Sequence, residues 1–265
     1  MRRRFIRGLL SSVVVLLFTG VSGAQMLGTS ARQMEAKSWK GILFYQGVHR
    51  QDLNFKVAGN GICNTKENGT GVSFACGENG SVRAHGTGNA LILKLVRQPH
   101  DGGLQLYGWA GAGDYEIFRG TAPVMQTLSM NRGGFLGGLG AKMVIWPETI
   151  VTPAIALDGN LGWQRYFGGL RLDILQYQFA VEASRKFGVP DSRLTVEPYG
   201  GVKWLRTHAW LREIGSGVRV GGVKDTVTPF IGLNLPFHAK ESLFAEASFV
   251  NGIHYAGGLS ISFGN

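Results

Sequence analysis

From Ile253 to Phe263 the chain alternates without a break. Ile253, Tyr255, Leu259, Ile261 and Phe263 fall on one face, and His254, Ala256, Gly258, Ser260 and Ser262 on the other. A period of two marks a β-strand whose two faces meet different media. The same pattern sets Leu175, Tyr177, Phe179, Val181 and Ala183 against Gln176, Gln178, Ala180, Glu182 and Ser184. It also sets Val227, Ile231, Leu233, Leu235 and Phe237 against Thr228, Phe230, Gly232 and Asn234. Pro229 and Pro236 are expected near the ends of that strand, where a missing ladder donor is tolerated. Less regular segments at 40–57, 86–97, 103–118, 132–146, 149–166, 194–206 and 242–250 bring the expected count to ten. Eight and twelve strands stay open, because strand boundaries are the least defined feature of such a reading.

These segments exceed the roughly five or six residues of a soluble strand and match the roughly 9–11 that a tilted membrane strand needs. After the first 25 residues, no apolar run reaches the about 18 residues of a transmembrane helix. The expected class is therefore all-β: an antiparallel, up-and-down transmembrane β-barrel. Aromatic residues gather near strand ends, among them Trp39, Tyr45, Trp146, Trp163, Trp204, Phe237 and Phe263, where interfacial girdles would form. The 41 glycines, with Gly133, Gly134, Gly137, Gly138 and Gly140 in one segment, suit strands that coil around a narrow barrel.

Lys94, Glu182, Lys203 and Glu246 lie on the polar faces and are expected to point into the lumen. Alternation alone does not say which face is inside. The same charges fit the solvated face of a soluble periplasmic barrel that binds a lipid or another ligand. Strand length and aromatic placement favour the membrane.

The first residues have the form of an export signal. Arg2, Arg3, Arg4 and Arg7 precede an apolar stretch from Leu9 to Phe18, and Ser22-Gly23-Ala24 offers a cleavage site between Ala24 and Gln25. The expected division is a signal peptide at 1–24, a short and flexible periplasmic lead at 25–37, and one barrel at 38–265. Long connections (58–85, 119–131, 207–225) are expected outside, and short ones (98–102, 147–148, 188–193, 238–241) in the periplasm. Asn251-Gly252 signals a tight hairpin turn. Cys63 and Cys76 are expected to form a disulfide in the first outer loop, since an exported chain meets an oxidising compartment. Only His85 lies near them, so no metal site is expected, and no cofactor.

The formal charge of +10 falls to about +6 once the four signal arginines are removed. The remaining basic residues are scattered, without a stripe of stacking aromatics, so no nucleic-acid partner is expected. A positive surface would favour anionic lipid.

The closing segment, Tyr255-Ala256-Gly257-Gly258-Leu259-Ser260-Ile261-Ser262-Phe263, resembles the C-terminal strand signal of bacterial outer-membrane proteins. Here Gly264 and Asn265 follow the aromatic that usually ends it. With the export signal and strand pattern, the chain is similar to small outer-membrane barrels of the outer-membrane protein A and W type. The resemblance implies location in the outer membrane of a bacterium and contact with its lipid. It also implies recognition by the barrel assembly machinery through Gly257, Leu259, Ile261 and Phe263. It implies a structural or binding role, with a narrow pore for small solutes as an extension of that role.

No catalytic residue is expected. His254-Tyr255-Ala256-Gly257 resembles the His-aromatic-Ser-Asn motif of lipid A deacylases, but Ala256 stands where the nucleophile must carry a hydroxyl. Outer-membrane proteases require acidic and Asp-His pairs on the outer rim, and His208, Glu213 and Asp225 show no paired spacing. Gly111 and Gly113 precede no helix that would offer its N-terminus to a phosphate. The expectation is that the chain is not an enzyme; a lipid-modifying enzyme is the third reading.

Overall fold

The computed structural model describes residues 30–57, 81–119, 126–168, 170–188, 195–213 and 219–264. Its elements are β1 (Trp39–Val57), β2 (Ser81–Arg97), β3 (Leu104–Arg119), β4 (Gln126–Trp146), β5 (Ala154–Phe167) and β6 (Leu170–Ser184). They continue as β7 (Phe187–Gly188), β8 (Thr195–Glu213), β9 (Arg219–Pro236), β10 (Glu241–Ser248) and β11 (Ile253–Phe263). Each long strand pairs antiparallel with the next, and β11 returns to β1, so ten strands close into a barrel. The two-residue β7 adds a short pairing at the start of β8. Both described chain ends lie at one end of the barrel, here termed lower.

Closure happens twice. Below, Trp39–His49 of β1 runs against Ile253–Phe263 of β11. Above, Lys56 and Val57 pair directly with Gly221 and Val220 of β9. The β10–β11 hairpin is short and ends at Asn251 and Gly252, which hold φ of +63° and +100°, the left-handed conformations for which such a turn selects Asn-Gly. A side chain at Gly252 would meet the His49 carbonyl at 2.7 Å. At the level of that turn β1 bends, with Arg50 at φ +58°. The wall thus has ten strands below the turn and eight above it. Because barrel diameter grows roughly linearly with strand number, the upper part is narrower by about a fifth.

The ten strands fall where alternation places them, but four run farther upward than expected. β8 extends to Glu213 and β9 starts at Arg219, so most of 207–225, read as a long loop, is wall. β2 begins at Ser81 and β4 at Gln126. Above an apolar band both faces of a strand tolerate polar side chains, and the alternation that marks a strand fades. Pro229 consequently lies inside β9, not near its end. It is the first β9 residue beyond the last pair with β10, Phe230 with Ser248.

Outward positions form an apolar belt. Leu91, Leu93 and Leu95 on β2, Phe135, Leu139 and Met143 on β4, and Ile231, Leu233 and Leu235 on β9 are all exposed, Leu139 by 72%. Inward positions pair rings with glycines on the neighbouring strand. Tyr107 stands opposite Gly140, Trp109 opposite Gly138, Tyr166 opposite Gly134 and Tyr199 opposite Gly232. A Cβ at Gly140 would lie 2.3–2.5 Å from the Tyr107 ring. Much of the inward glycine content is therefore room for aromatic side chains to lie flat across the lumen, as in aromatic rescue of sheet glycines.

Candidate functional site

The lumen is the place where polar chemistry concentrates. Seven charged side chains are withdrawn from solvent inside the barrel: Lys94, Lys142 and Lys203, with Asp158, Glu182, Glu197 and Glu246. Antiparallel pairing sets Lys142 of β4 opposite Asp158 of β5 and places Glu182 of β6 one strand farther. Lys142 lies 3.9 Å from Asp158 and makes a close ion pair with Glu182. Asp158 also accepts a 2.5 Å hydrogen bond from the Tyr107 hydroxyl, while the Lys94 ammonium rests 3.7 Å from the Tyr107 ring centre. On the opposite wall Lys203 lies 3.7 Å from Glu246, which accepts a hydrogen bond from the Tyr199 hydroxyl at 3.2 Å. A buried charge is tolerated when it is paired and hydrogen-bonded, and here Lys142 and Lys203 each face a carboxylate.

Above this network the lumen turns from charge to amide and then to hydrocarbon. Tyr166 donates to Gln164, Gln164 to Gln176, and Gln176 to Thr207. Tyr115 donates to Gln51 at 3.0 Å, and its ring lies 5.3 Å from that of Tyr166. Val48, Leu53, Ile117, Leu172 and Leu211 close the top as one buried cluster. Cavities between these layers are small: about 10 Å³ beside Lys94, Tyr107 and Asn160, and about 10 Å³ beside Gln51 and Thr207. That is near the least space a water molecule needs.

At the lower mouth a cavity of about 520 Å³ is bounded by Lys40, Gln105, Glu197 and Asn234 and by the segment that precedes β1. That segment is docked. Ala31 is fully buried against Val144, Ala154 and Ala156. The Ser30 carbonyl accepts from the Lys142 ammonium at 3.2 Å, and the Met34 amide donates to Gln98 at 2.9 Å.

Of the residues singled out by sequence, Lys94, Glu182, Lys203 and Glu246 all lie in the lumen network. Sequence reasoning missed Lys142 and Asp158, both of which the structure buries inside the barrel. Gly257, Leu259, Ile261 and Phe263 share the outward face of β11. His254 is buried, with Nε2 3.0 Å from the Asn251 carbonyl. Cys63, Cys76, Ala24 and Gln25 lie outside the described residues, and among the described residues no metal-binding group forms.

The upper rim holds a second polar group. His85 Nδ1 lies 3.0 Å from Asp52, whose carboxylate also takes Lys224 at 3.3 Å. Lys224 donates to Asn251 at 2.6 Å, so the hairpin turn is tied to both flanking strands.

The sequence matches no family model and no curated protein. It is similar to solved barrels. The β domain of the Bordetella autotransporter BrkA aligns at 14% identity and a TM-score of 0.46, over 86% of this chain and all of that one. The outer membrane protein OprG of Pseudomonas aeruginosa aligns at 10% and 0.44, over 89% of this chain and all of that one. The outer membrane protease OmpT of Escherichia coli aligns at 9% and 0.46, over 88% of this chain and all of that one. With an apolar belt outside, buried charges inside and a wall closed by β1 on β11, the barrel faces lipid. The protein is an outer-membrane β-barrel.

One expectation is corrected. The exclusion of enzymatic activity does not stand, because a β-barrel fold serves enzymes and non-enzymes alike. The search for acid–histidine pairs along the sequence also missed His85 and Asp52, 33 residues apart and joined only by the β1–β2 register. Tertiary proximity, not spacing, makes that pair.

Proposed function

We propose that this outer-membrane barrel is a closed, non-conducting platform that displays a binding surface on its upper end. One observation carries the reading: among the described residues the lumen is filled by ion pairs, ring-over-glycine packing and an apolar cap. A pore for small solutes would need a continuous wet path, and cavities of about 10 Å³ leave little room for one. The eight-stranded upper wall then supplies the surface that meets partners. On the same reading residues 1–24 are removed on export, and Cys63 and Cys76 form a disulfide. Gly257, Leu259, Ile261 and Phe263 present the last strand to the assembly machinery.

The test is conductance. Purified protein in planar bilayers, checked for heat-modifiable gel mobility, should give no steady channels above the lipid background. Vesicles carrying it should not swell in solutions of small sugars. Stable unitary conductance, or swelling that depends on solute size, would overturn the closed reading.

A further inference from the structure

Directly above the belt, the outer face of β6, β8 and β9 carries arginines in register. Arg171 of β6 pairs with Arg212 of β8, and the backbone register places Arg219 of β9 next in the same row. Side chains directly opposite in an antiparallel pair have Cβ atoms about 4.5–5.5 Å apart, and like charges so placed are destabilising. A second row lies beneath. Arg165 donates to Asp173 at 2.6 Å while Arg171 donates to the other oxygen of the same carboxylate at 3.0 Å. Arg206 stands 3.8 Å from Asp225. Arg165, Arg171, Arg206 and Arg212 thus share this part of the wall with two outward aspartates, Asp173 and Asp225. Below the arginines β5, β6 and β8 expose Trp163, Tyr177, Phe179 and Trp204.

A cationic row seated on an aromatic-apolar wall matches one chemistry: an anionic head attached to acyl chains. Guanidinium groups bind phosphate through paired N–H donors. Filling the row with a phosphate would also relieve the repulsion between Arg171 and Arg212. We propose that these arginines dock the phosphate groups of an anionic outer-leaflet lipid whose acyl chains lie on Trp163, Tyr177 and Phe179. The lipid class is a phosphorylated glycolipid, whose several phosphate oxygens can meet Arg171 and Arg212 together.

The experiment compares wild type with the pair Arg171→Gln/Arg212→Gln, using bis-phosphorylated lipid A in nanodiscs of zwitterionic lipid. Bound lipid A is counted by native mass spectrometry. The wild type should retain it against rising salt, and the double variant should lose retention by at least about tenfold. Arg171→Lys/Arg212→Lys should fall between. Lys186→Gln/Lys240→Gln, at the lower end, removes equal charge and should retain lipid A as wild type does. All variants must keep heat-modifiable mobility. In neutral detergent without lipid A, Arg212→Gln should melt higher than wild type, since a like-charge pair is gone; with lipid A it should melt lower. Unchanged retention in the double variant, or equal loss in the lower-end variant, overturns the site. If inorganic phosphate stabilises the protein in detergent as much as lipid A does, the row is a free-anion site and the lipid proposal fails.

Discussion

Lys142 and Asp158 stand directly opposite each other on β4 and β5, their charged atoms 3.9 Å apart and both side chains almost wholly withdrawn from solvent. Removing one partner of such a pair strands the other charge, which costs about 3–5 kcal/mol, whereas removing both can be close to neutral. Lys142→Met should therefore weaken the barrel by about that amount in urea titrations in lipid vesicles. The double variant Lys142→Met/Glu182→Gln should recover much of the loss, because the charge balance is restored. Equal and additive losses would show that the network is not coupled.

Gly137 and Gly138 are neighbours with opposite fates. A methyl group at Gly138 would meet the Leu161 carbonyl at 2.4 Å and the Trp109 ring at 2.6 Å, while one at Gly137 comes no nearer than 3.5 Å to the Trp109 carbonyl. Overpacking costs about 1–3 kcal/mol. Gly138→Ala should lower the melting temperature of the folded band on unheated gels, and Gly137→Ala should leave it within a degree or two.

Spin labels read the two media along the outer wall. A label at Leu139, in the belt, should be relaxed by oxygen dissolved in lipid and shielded from a water-soluble nickel reagent. At Asp225, above the belt, the order should reverse. Nickel access at Leu139 equal to that at Asp225 would be incompatible with the belt.

The segment before β1 predicts a local effect. Gln98 is fully buried and its side-chain oxygen accepts from the Met34 amide. Gln98→Ala should speed hydrogen exchange at Met34 at least about tenfold, since a hydrogen bond of about 1–1.5 kcal/mol is lost. Exchange deep in β5 should not change. No change at Met34 would mean that the segment is held by its other contacts, Ala31 and the Ser30–Lys142 hydrogen bond among them.

What the sequence made legible is what the two media impose. Where lipid lies on one side and lumen on the other, as along Leu175–Ser184 or Ile253–Phe263, alternation located the strand and separated its two faces. Lys142 was hidden because its strand is rich in glycine, which has no side chain to show parity. The upward reach of β8 and β9 was hidden because outside the belt Lys224, Asp225 and Thr226 meet no apolar medium on either face. Proximity across strands, as between His85 and Asp52, depends on register, which no local pattern encodes. The lower cavity depends on a segment whose composition reads as a loose lead but whose Ala31 is small enough to slip between Val144 and Ala154.

The double closure of the wall has a consequence for how barrels of this kind change size. Since β9 already touches β1 above the last turn, the β10–β11 hairpin is a wedge driven into a seam that exists without it. An eight-strand ancestor could acquire such a wedge, or a descendant lose it, without any other strand changing neighbours except at that seam. During assembly the same geometry lets the upper seam join before the wedge is seated, so that the last hairpin slots into a ring already registered at its rim.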